Sequence, residues 1–374
     1  MKIIFVVNEL SFFLRTHLNL ANSMSKTHKI GVITDISKSS KEDLEFLKNK
    51  GIELYRLNRK KSSFTFFSYI KHLITLLKLL RKINPKYVFY VTLEMSFFGS
   101  LISYFLSIKK SIFIITGLGP FFFRKEFKYK FFHKLQYYFF RLLNYMKDDF
   151  LFIFLNLADK KLIQNLYKIK DTNCQLIYGE GIIESEFRNI KRDISIPRFL
   201  LASRLVKSKG IETFVNVAKR IKSESPSVQF SIAGIYDLNN PESISQNLYE
   251  EIRNNNSINF LGEVAHEQME KYFHQNNVFV LPSQREGLPK AAAEAAMTGM
   301  PLILSNVPGC RDCVEQNVNG MLVSYMNEDE LYQAMKRFID DTKLIYLMGE
   351  QSSILANKKF SFQSIHKQFS YIIS

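Results

Sequence analysis

Tryptophan is absent from the 374-residue sequence, and cysteine occurs only as Cys174, Cys310 and Cys313. Three thiols are too few for a disulfide framework and an odd number suits a reducing compartment, so a cytoplasmic location is expected. A long uninterrupted apolar run is also lacking. The opening MKIIFVVNEL carries Lys2 and stops at Glu9, which suits a first strand better than a secretion signal. Tyr87 to Ile108, the longest nearly uncharged stretch, is broken by Glu94 and leaves about 14 residues where a membrane span needs about 20. No G-x-G-x-x-G follows a strand-like run and no G-x-x-x-x-G-K-[ST] occurs, which argues against nicotinamide dinucleotide enzymes and P-loop nucleotidases. D-x-D is missing as well, and the nearest acidic cluster, Glu328-Asp329-Glu330, reads as the start of a helix.

What is present is an unevenly charged α/β chain. The length suits two domains. The net charge of +16 lies wholly in residues 1–190, where 31 Lys and Arg face 15 Asp and Glu; the remainder balances at 20 of each. The first half also holds 24 of the 34 phenylalanines, so the halves are built for different surroundings. Short β-branched and aromatic runs alternate with helical patterns: KIIFVVN, KIGVIT, IELYRL, KYVFYVT, SIFIITG, FLFIFLN and CQLIYG, then FLLAS, VQFSIAG, INFLG, VFVLPS, PLILSN and MLVS. Such runs, bounded by Gly, Pro and Ser, predict parallel sheets covered on both faces and two doubly wound domains. The boundary is expected in the polar stretch Glu184 to Pro197, giving domains 1–190 and 191–374, with the last helix able to return to the first.

Ligands of open α/β sheets bind beyond the carboxyl ends of the strands, so the loops there hold the candidates. After FLLAS, Arg204 and Lys209 bracket the start of a helix near Ile211, where free backbone N–H groups and the helix dipole favour an anion such as a diphosphate. Taken alone, the loop reads equally as a solvated basic turn. After VFVLPS, PSQREGLPKAAAEAAMTGMP places Pro289 at about the first helical position, Glu286 in the loop and Glu294 two turns into the helix. The two glutamates are too far apart for an acid/base dyad. They can hydrogen-bond different hydroxyls of one extended ligand, or serve as a cap and a solvent-facing carboxylate.

SRLVKSKG, followed about 75 residues later by this second loop with its Glu, seven residues, Glu spacing, resembles the signature of glycosyltransferase family 4, of the GT-B fold, and within it the enzymes of capsule and O-antigen polysaccharide synthesis. The resemblance extends to TGLG (Thr116 to Gly119), FLNLADKKL, IYGEG (Ile177 to Gly181), Asp237 with Asn240-Pro241, NVPGCRDCV and NVNGMLV, and so spans nearly the whole chain. It implies an active site in the cleft between two Rossmann-like domains. Arg204 and Lys209 would hold the donor diphosphate and stabilise the leaving nucleoside diphosphate, and Glu286 with the amides of Gly287 and Leu288 would contact the donor sugar. Glu294 would take the ribose hydroxyls, Gly234, Val264 and Pro289 would complete the donor side, and Thr16, His17, Gly117 and Asn156 would lie on the acceptor side. It further implies a retaining transfer from a UDP-linked sugar to a lipid-diphosphate-linked saccharide, without metal or other cofactor. Two positions depart from the family pattern: Phe12-Phe13-Leu14-Arg15-Thr16-His17 stands where a His-Arg pair often follows two aromatics, and Glu180 stands where Ser is common.

The surplus charge has its own reading. Pro120 to Lys147 holds seven Lys and Arg and one Glu among many Phe and Tyr, and Phe64 to Lys82 is a second basic, apolar stretch. Helices of this composition either cover their sheet or lie on an anionic membrane surface, which would place the protein on the cytoplasmic face of the inner membrane. No nucleic-acid-binding module surrounds them, so nucleic acid is not an expected partner. The competing functions are a UDP-sugar epimerase of the same fold and a membrane scaffold with an inactive site. A basic, aromatic first half argues against the former, and intact Arg204, Lys209, Glu286 and Glu294 argue against the latter.

Overall fold

The computed structural model of the protein describes residues 1–37, 39–57, 66–118, 122, 134, 137–141, 149–254 and 257–373. The chain forms two units, Met1–Glu180 with Ile365–Ser374, and Gly181–Ser364. The boundary therefore moves from 190 to 180. Ile182 already belongs to the second unit, exchanging backbone hydrogen bonds with Phe360 (2.8 Å) and Phe362 (2.7 Å). The polar stretch behind it is also tied down: Arg192 donates to Asn276 O (3.2 Å) and to Thr298 Oγ1 (2.9 Å). Polar composition marks a linker only when its side chains stay in water, and Arg192 does not.

The first unit holds seven strands: β1 (Lys2–Glu9), β2 (Lys29–Asp35), β3 (Glu53–Arg56), β4 (Tyr87–Val91), β5 (Lys110–Ile115), β6 (Phe150–Phe154) and β7 (Cys174–Leu176). All pair in parallel, in the order β3-β2-β1-β4-β5-β6-β7. The unbroken apolar runs YVFYV and FLFIF are buried at every position, as a strand covered on both faces requires. One face carries Ile4, Val6, Val88, Tyr90, Phe113 and Phe152 into a single core with Leu76, Leu80, Ile102 and Ile163 of the helices Phe66–Ile83, Leu93–Phe105 and Leu157–Tyr167. On the other, Phe5 stacks on Phe89 at 4.8 Å, and Phe369 near the carboxyl terminus lies 6.1 Å from Phe89. Of the segment Pro120 to Lys147, only Phe122, Lys134 and Tyr137–Arg141 are among the described residues; Arg124, Lys125, Lys128 and Lys130 lie outside them, as does Gly119 of TGLG.

The second unit repeats the scheme with β8 (Arg198–Ala202), β9 (Gln229–Ala233), β10 (Asn259–Gly262), β11 (Val278–Leu281), β12 (Leu302–Ser305) and β13 (Gly320–Val323), parallel in the order β10-β9-β8-β11-β12-β13. The acidic cluster Glu328-Asp329-Glu330 opens the helix Glu328–Asp340, with Asn327 as its cap. In both sheets the strand order reverses once, between β1 and β4 and between β8 and β11. At such a point the neighbouring loops diverge to opposite faces and leave a crevice beyond the strand ends.

Candidate active site

The two loops flanking the β8/β11 reversal are Ser203–Gly210 and Pro282–Pro289. Gly210 caps the helix Ile211–Glu224 with φ +68°, and a Cβ there would stand 2.1 Å from Pro282 O. Only glycine fits both the left-handed backbone and that approach. Gln284 N donates to Ser208 O at 2.8 Å and laces the loops together. The result is that Lys209 Nζ donates to Glu286 Oε1 at 2.5 Å, and Ser283 Oγ donates to the same oxygen at 2.7 Å. The Lys209 and Glu286 side chains are only 18% and 9% exposed, so this charge pair works in a medium of lower dielectric than water. Arg204 is exposed on the same loop and, among the described residues, in no ion pair. No side chain caps the helix that starts at Ile211, leaving its first N–H groups available to an anion.

The loop after β12 supports Glu286 from behind. Gly309, at φ +82°, brings its backbone so close that a Cβ would lie 2.6 Å from Glu286 O and 2.7 Å from Gly287 O. Cys310 and Cys313 follow it, both buried; burial pushes both thiols above their ordinary range, and the Glu286 carboxylate adds to this at Cys310. Neither is suited to act as a thiolate. Gly287 and Leu288 are half-buried, and Pro289 is the cap of the helix Lys290–Met297 rather than its first residue. Glu294 accordingly falls in the second turn, not after two turns. The buried alanines 292, 293, 295 and 296 let this helix lie close to its sheet.

Glu294 is 3% exposed and belongs to a second set of contacts. Its Oε1 lies 2.7 Å from His266 Nε2 and 3.5 Å from Lys290 Nζ. The hydrogen bond to Glu294 raises the His266 pKa above its ordinary value, against the opposing effect of burial. His266 is not among the residues expected from the sequence; its one signal is a titratable residue two places after Val264, in the largely exposed loop that follows β10. Gly234 sits at the end of β9, donates to Gly262 O at 2.8 Å, and has no room for a Cβ, which would meet Ser203 O at 1.9 Å.

In the first unit, Thr16 and His17 lie where the helix Leu10–Thr16 meets the helix Leu18–Ser25. The Thr16 hydroxyl donates to Phe12 O at 2.7 Å, so its 2.6 Å contact with His17 Nδ1 requires that nitrogen to be the donor. His17 Nε2 then faces Glu180 Oε1 at 3.5 Å from a fully buried ring. Glu180 thus lies against the His17 ring, a proximity with no local sequence signal. At the β1/β4 reversal, Asn8 Nδ2 donates to Glu94 Oε2 at 3.2 Å, a polar pair that was not among the site candidates from the sequence. Gly117, after β5, has φ +130°. Asn156 is buried and spends its side chain on the helix Leu157–Tyr167, accepting from Asp159 N at 2.7 Å and donating to Asp159 Oδ2 at 3.0 Å. That is the work of a helix cap.

Two family descriptions match the chain, Glycosyl transferase 4-like over residues 2–152 and Glycosyl transferases group 1 over residues 183–353. It is 24% identical over 312 residues to the N,N'-diacetylbacillosaminyl-diphospho-undecaprenol alpha-1,3-N-acetylgalactosaminyltransferase of Campylobacter jejuni, covering 80% of this chain and 79% of that protein. It is 23% identical over 375 residues to the capsular polysaccharide biosynthesis glycosyltransferase CapM of Staphylococcus aureus, covering 92% and 96%. Among solved structures, HepE of Anabaena in complex with UDP superposes with a TM-score of 0.79 at 15% identity, covering 100% and 99%. With two parallel α/β units, a cationic loop at a strand-order reversal and family matches over both halves, the chain belongs to the glycosyltransferases of the GT-B fold, pairing a glycosyltransferase 4-like domain with a group 1 domain.

Proposed function

We propose that the protein moves a sugar, with retention at its anomeric carbon, from a UDP-linked donor to a lipid-diphosphate-linked saccharide in capsule or O-antigen synthesis. The observation that carries the donor side is Lys209, held 2.5 Å from Glu286 at the start of the helix Ile211–Glu224. In transfer the bond from the anomeric carbon to the diphosphate oxygen breaks, leaving negative charge on the nucleoside diphosphate, while the acceptor hydroxyl oxygen bonds to the anomeric carbon and gives its proton to the departing diphosphate. Arg204, Lys209 and the free N–H groups of the helix stabilise that developing charge without a metal ion. Glu286 then meets the positive charge that develops on the sugar ring. The acceptor and donor classes rest on the Campylobacter and Staphylococcus relatives and on the UDP held by HepE.

The test is a panel of UDP-sugars with undecaprenyl-diphosphate saccharides, products weighed by mass spectrometry, run with and without EDTA. The expected result is one glycosylated lipid product at a rate that EDTA does not change. Interconversion of UDP-sugars in the absence of acceptor would instead establish an epimerase, and a rate restored only by Mn²⁺ or Mg²⁺ would refute the metal-free step.

A lipid acceptor places the reaction at a membrane. No helix among the described residues is long and apolar enough to cross one, so the association we propose is peripheral. The helix Phe66–Ile83 supports it, carrying exposed Ile70 and Ile74 beside exposed Lys71, Lys78, Arg81 and Lys82 with no acidic residue. Basic side chains near an anionic surface contribute about 1 kcal/mol each and are screened by salt, whereas buried apolar area is not. The protein is expected to sediment with vesicles containing anionic lipid and to be only partly released by high salt. Lys71→Glu, Lys78→Glu and Lys82→Glu together should lower the bound fraction; binding equal to wild type would make this helix an ordinary solvated cover of its sheet.

A further inference from the structure

We propose that His266 is a positioning residue for the donor, holding the Glu294 carboxylate in the orientation that receives the nucleotide and making donor affinity depend on the imidazole's charge. The inference rests on the donor-site reading above, and Glu294 is the residue through which His266 acts.

Glu294 is the deeper of the two glutamates, on a helix packed by small side chains, and its carboxylate has little freedom to find a ligand by itself. Two neighbours reach it: His266 Nε2 at 2.7 Å and Lys290 Nζ at 3.5 Å, and both approach Oε1. Among the described residues both side-chain contacts of Glu294 fall on Oε1, which leaves Oε2 able to accept a hydrogen bond from a ligand. A carboxylate held in this way accepts a hydrogen bond from a hydroxyl without first having to reorganise.

His266 itself stands on the turn after β10, on an element separate from the helix that carries Glu294, so the contact fixes one against the other. The groups facing it are Glu294 and Lys290 from that helix, and Glu186 and the Phe187 ring from the segment before β8, the ring lying 5.7 Å away and edge-on. The carboxylates favour the charged imidazole, Lys290 opposes it, and the shift is upward, so the imidazolium persists above the usual range of histidine. While charged, His266 makes a charge-assisted hydrogen bond to Glu294 and adds a positive charge beside a site for an anionic nucleotide. As pH rises through its pKa in the folded protein, the charge is lost and the hydrogen bond weakens to the neutral kind. Donor affinity should fall in that direction.

The experiment measures UDP binding to the full-length protein by titration calorimetry at pH values from about 6 to about 9, for wild type, His266→Ala and His266→Gln, together with donor KM and kcat. The ligand's own titration is common to all three proteins and cancels in the comparison. Expected for His266→Ala is an increase of about tenfold in Kd and in KM, with kcat changed less than about twofold, the loss of one charge-assisted bond to a binding group. His266→Gln, which can donate to Glu294 but cannot titrate, should recover part of the affinity and lose the extra decline that wild type shows as pH rises. UDP binding by wild type with unchanged affinity and pH dependence in both variants would overturn this inference alone. A wild type that does not bind UDP would overturn the donor-site reading and this inference with it.

Discussion

Replacing Lys209 with alanine is expected to lower the rate of sugar transfer about 100- to 1,000-fold, the usual loss when one donor aimed at developing negative charge is removed. Arg204→Ala should act in the same direction. The two variants differ in stability, because the two side chains differ in burial. Arg204 is exposed and its removal should leave the melting temperature unchanged. Lys209 is paired with a Glu286 carboxylate that is only 9% exposed, and its loss leaves that carboxylate, among the described residues, to the Ser283 hydroxyl. An incompletely paired buried charge costs about 1–3 kcal/mol. Adding Glu286→Gln to Lys209→Ala should therefore restore stability without restoring the rate, as read by calorimetry and by product formation on the same preparations. Normal transfer by Arg204→Ala or Lys209→Ala would remove the diphosphate assignment.

Gly210→Ala is expected to be among the most damaging single methyl additions in the second unit, because it combines a backbone clash with a left-handed φ. The added Cβ would stand 2.1 Å from the Pro282 carbonyl oxygen, a backbone atom that cannot swing away as a side-chain tip can. The residue would also be asked to keep φ at +68°, which an L side chain resists. The loops after β8 and β11 would have to part. Strain of this kind typically costs about 2–4 kcal/mol, which for a unit of this size lowers the melting midpoint by about 5–15 °C. Activity should fall further than stability explains, because parting the loops separates Lys209 from Glu286. A variant that melts and transfers like wild type would show that the two loops are not held in contact in solution.

Much of this architecture was legible from residue spacing. All thirteen strands among the described residues coincide with apolar runs visible in the sequence, from KIIFVVN at β1 to MLVS at β13, and the loops that carry Arg204, Lys209 and Glu286 follow strands, with Glu294 on the helix after the second loop. The helix Ile211–Glu224 starts where the sequence places a helix start near Ile211, and the acidic cluster at Glu328 does start a helix. Errors arose where a residue's surroundings differ from its type. Arg192 sits in a polar stretch that looks like a linker, yet it is bonded to Thr298, and the unit boundary lies before it. Asn156, placed on the acceptor side by the family resemblance, also serves as a helix cap, a role that only its surroundings reveal.

The sequence by itself determined which segments are strands and helices, because the periods of two and of about 3.6 residues that decide this are local properties of spacing. It also determined which loops carry cationic and acidic side chains. Only the tertiary structure decided which of those side chains meet. Lys209 and Glu286 are 77 residues apart and His266 and Glu294 are 28 apart, and each pair is joined because strand order sets β8 beside β11 and β10 at the sheet edge. His17 finds Glu180 across most of the first unit for the same reason. Strand order is settled by how whole faces of apolar residues bury against one another, a sum over the fold to which no short stretch of sequence gives access.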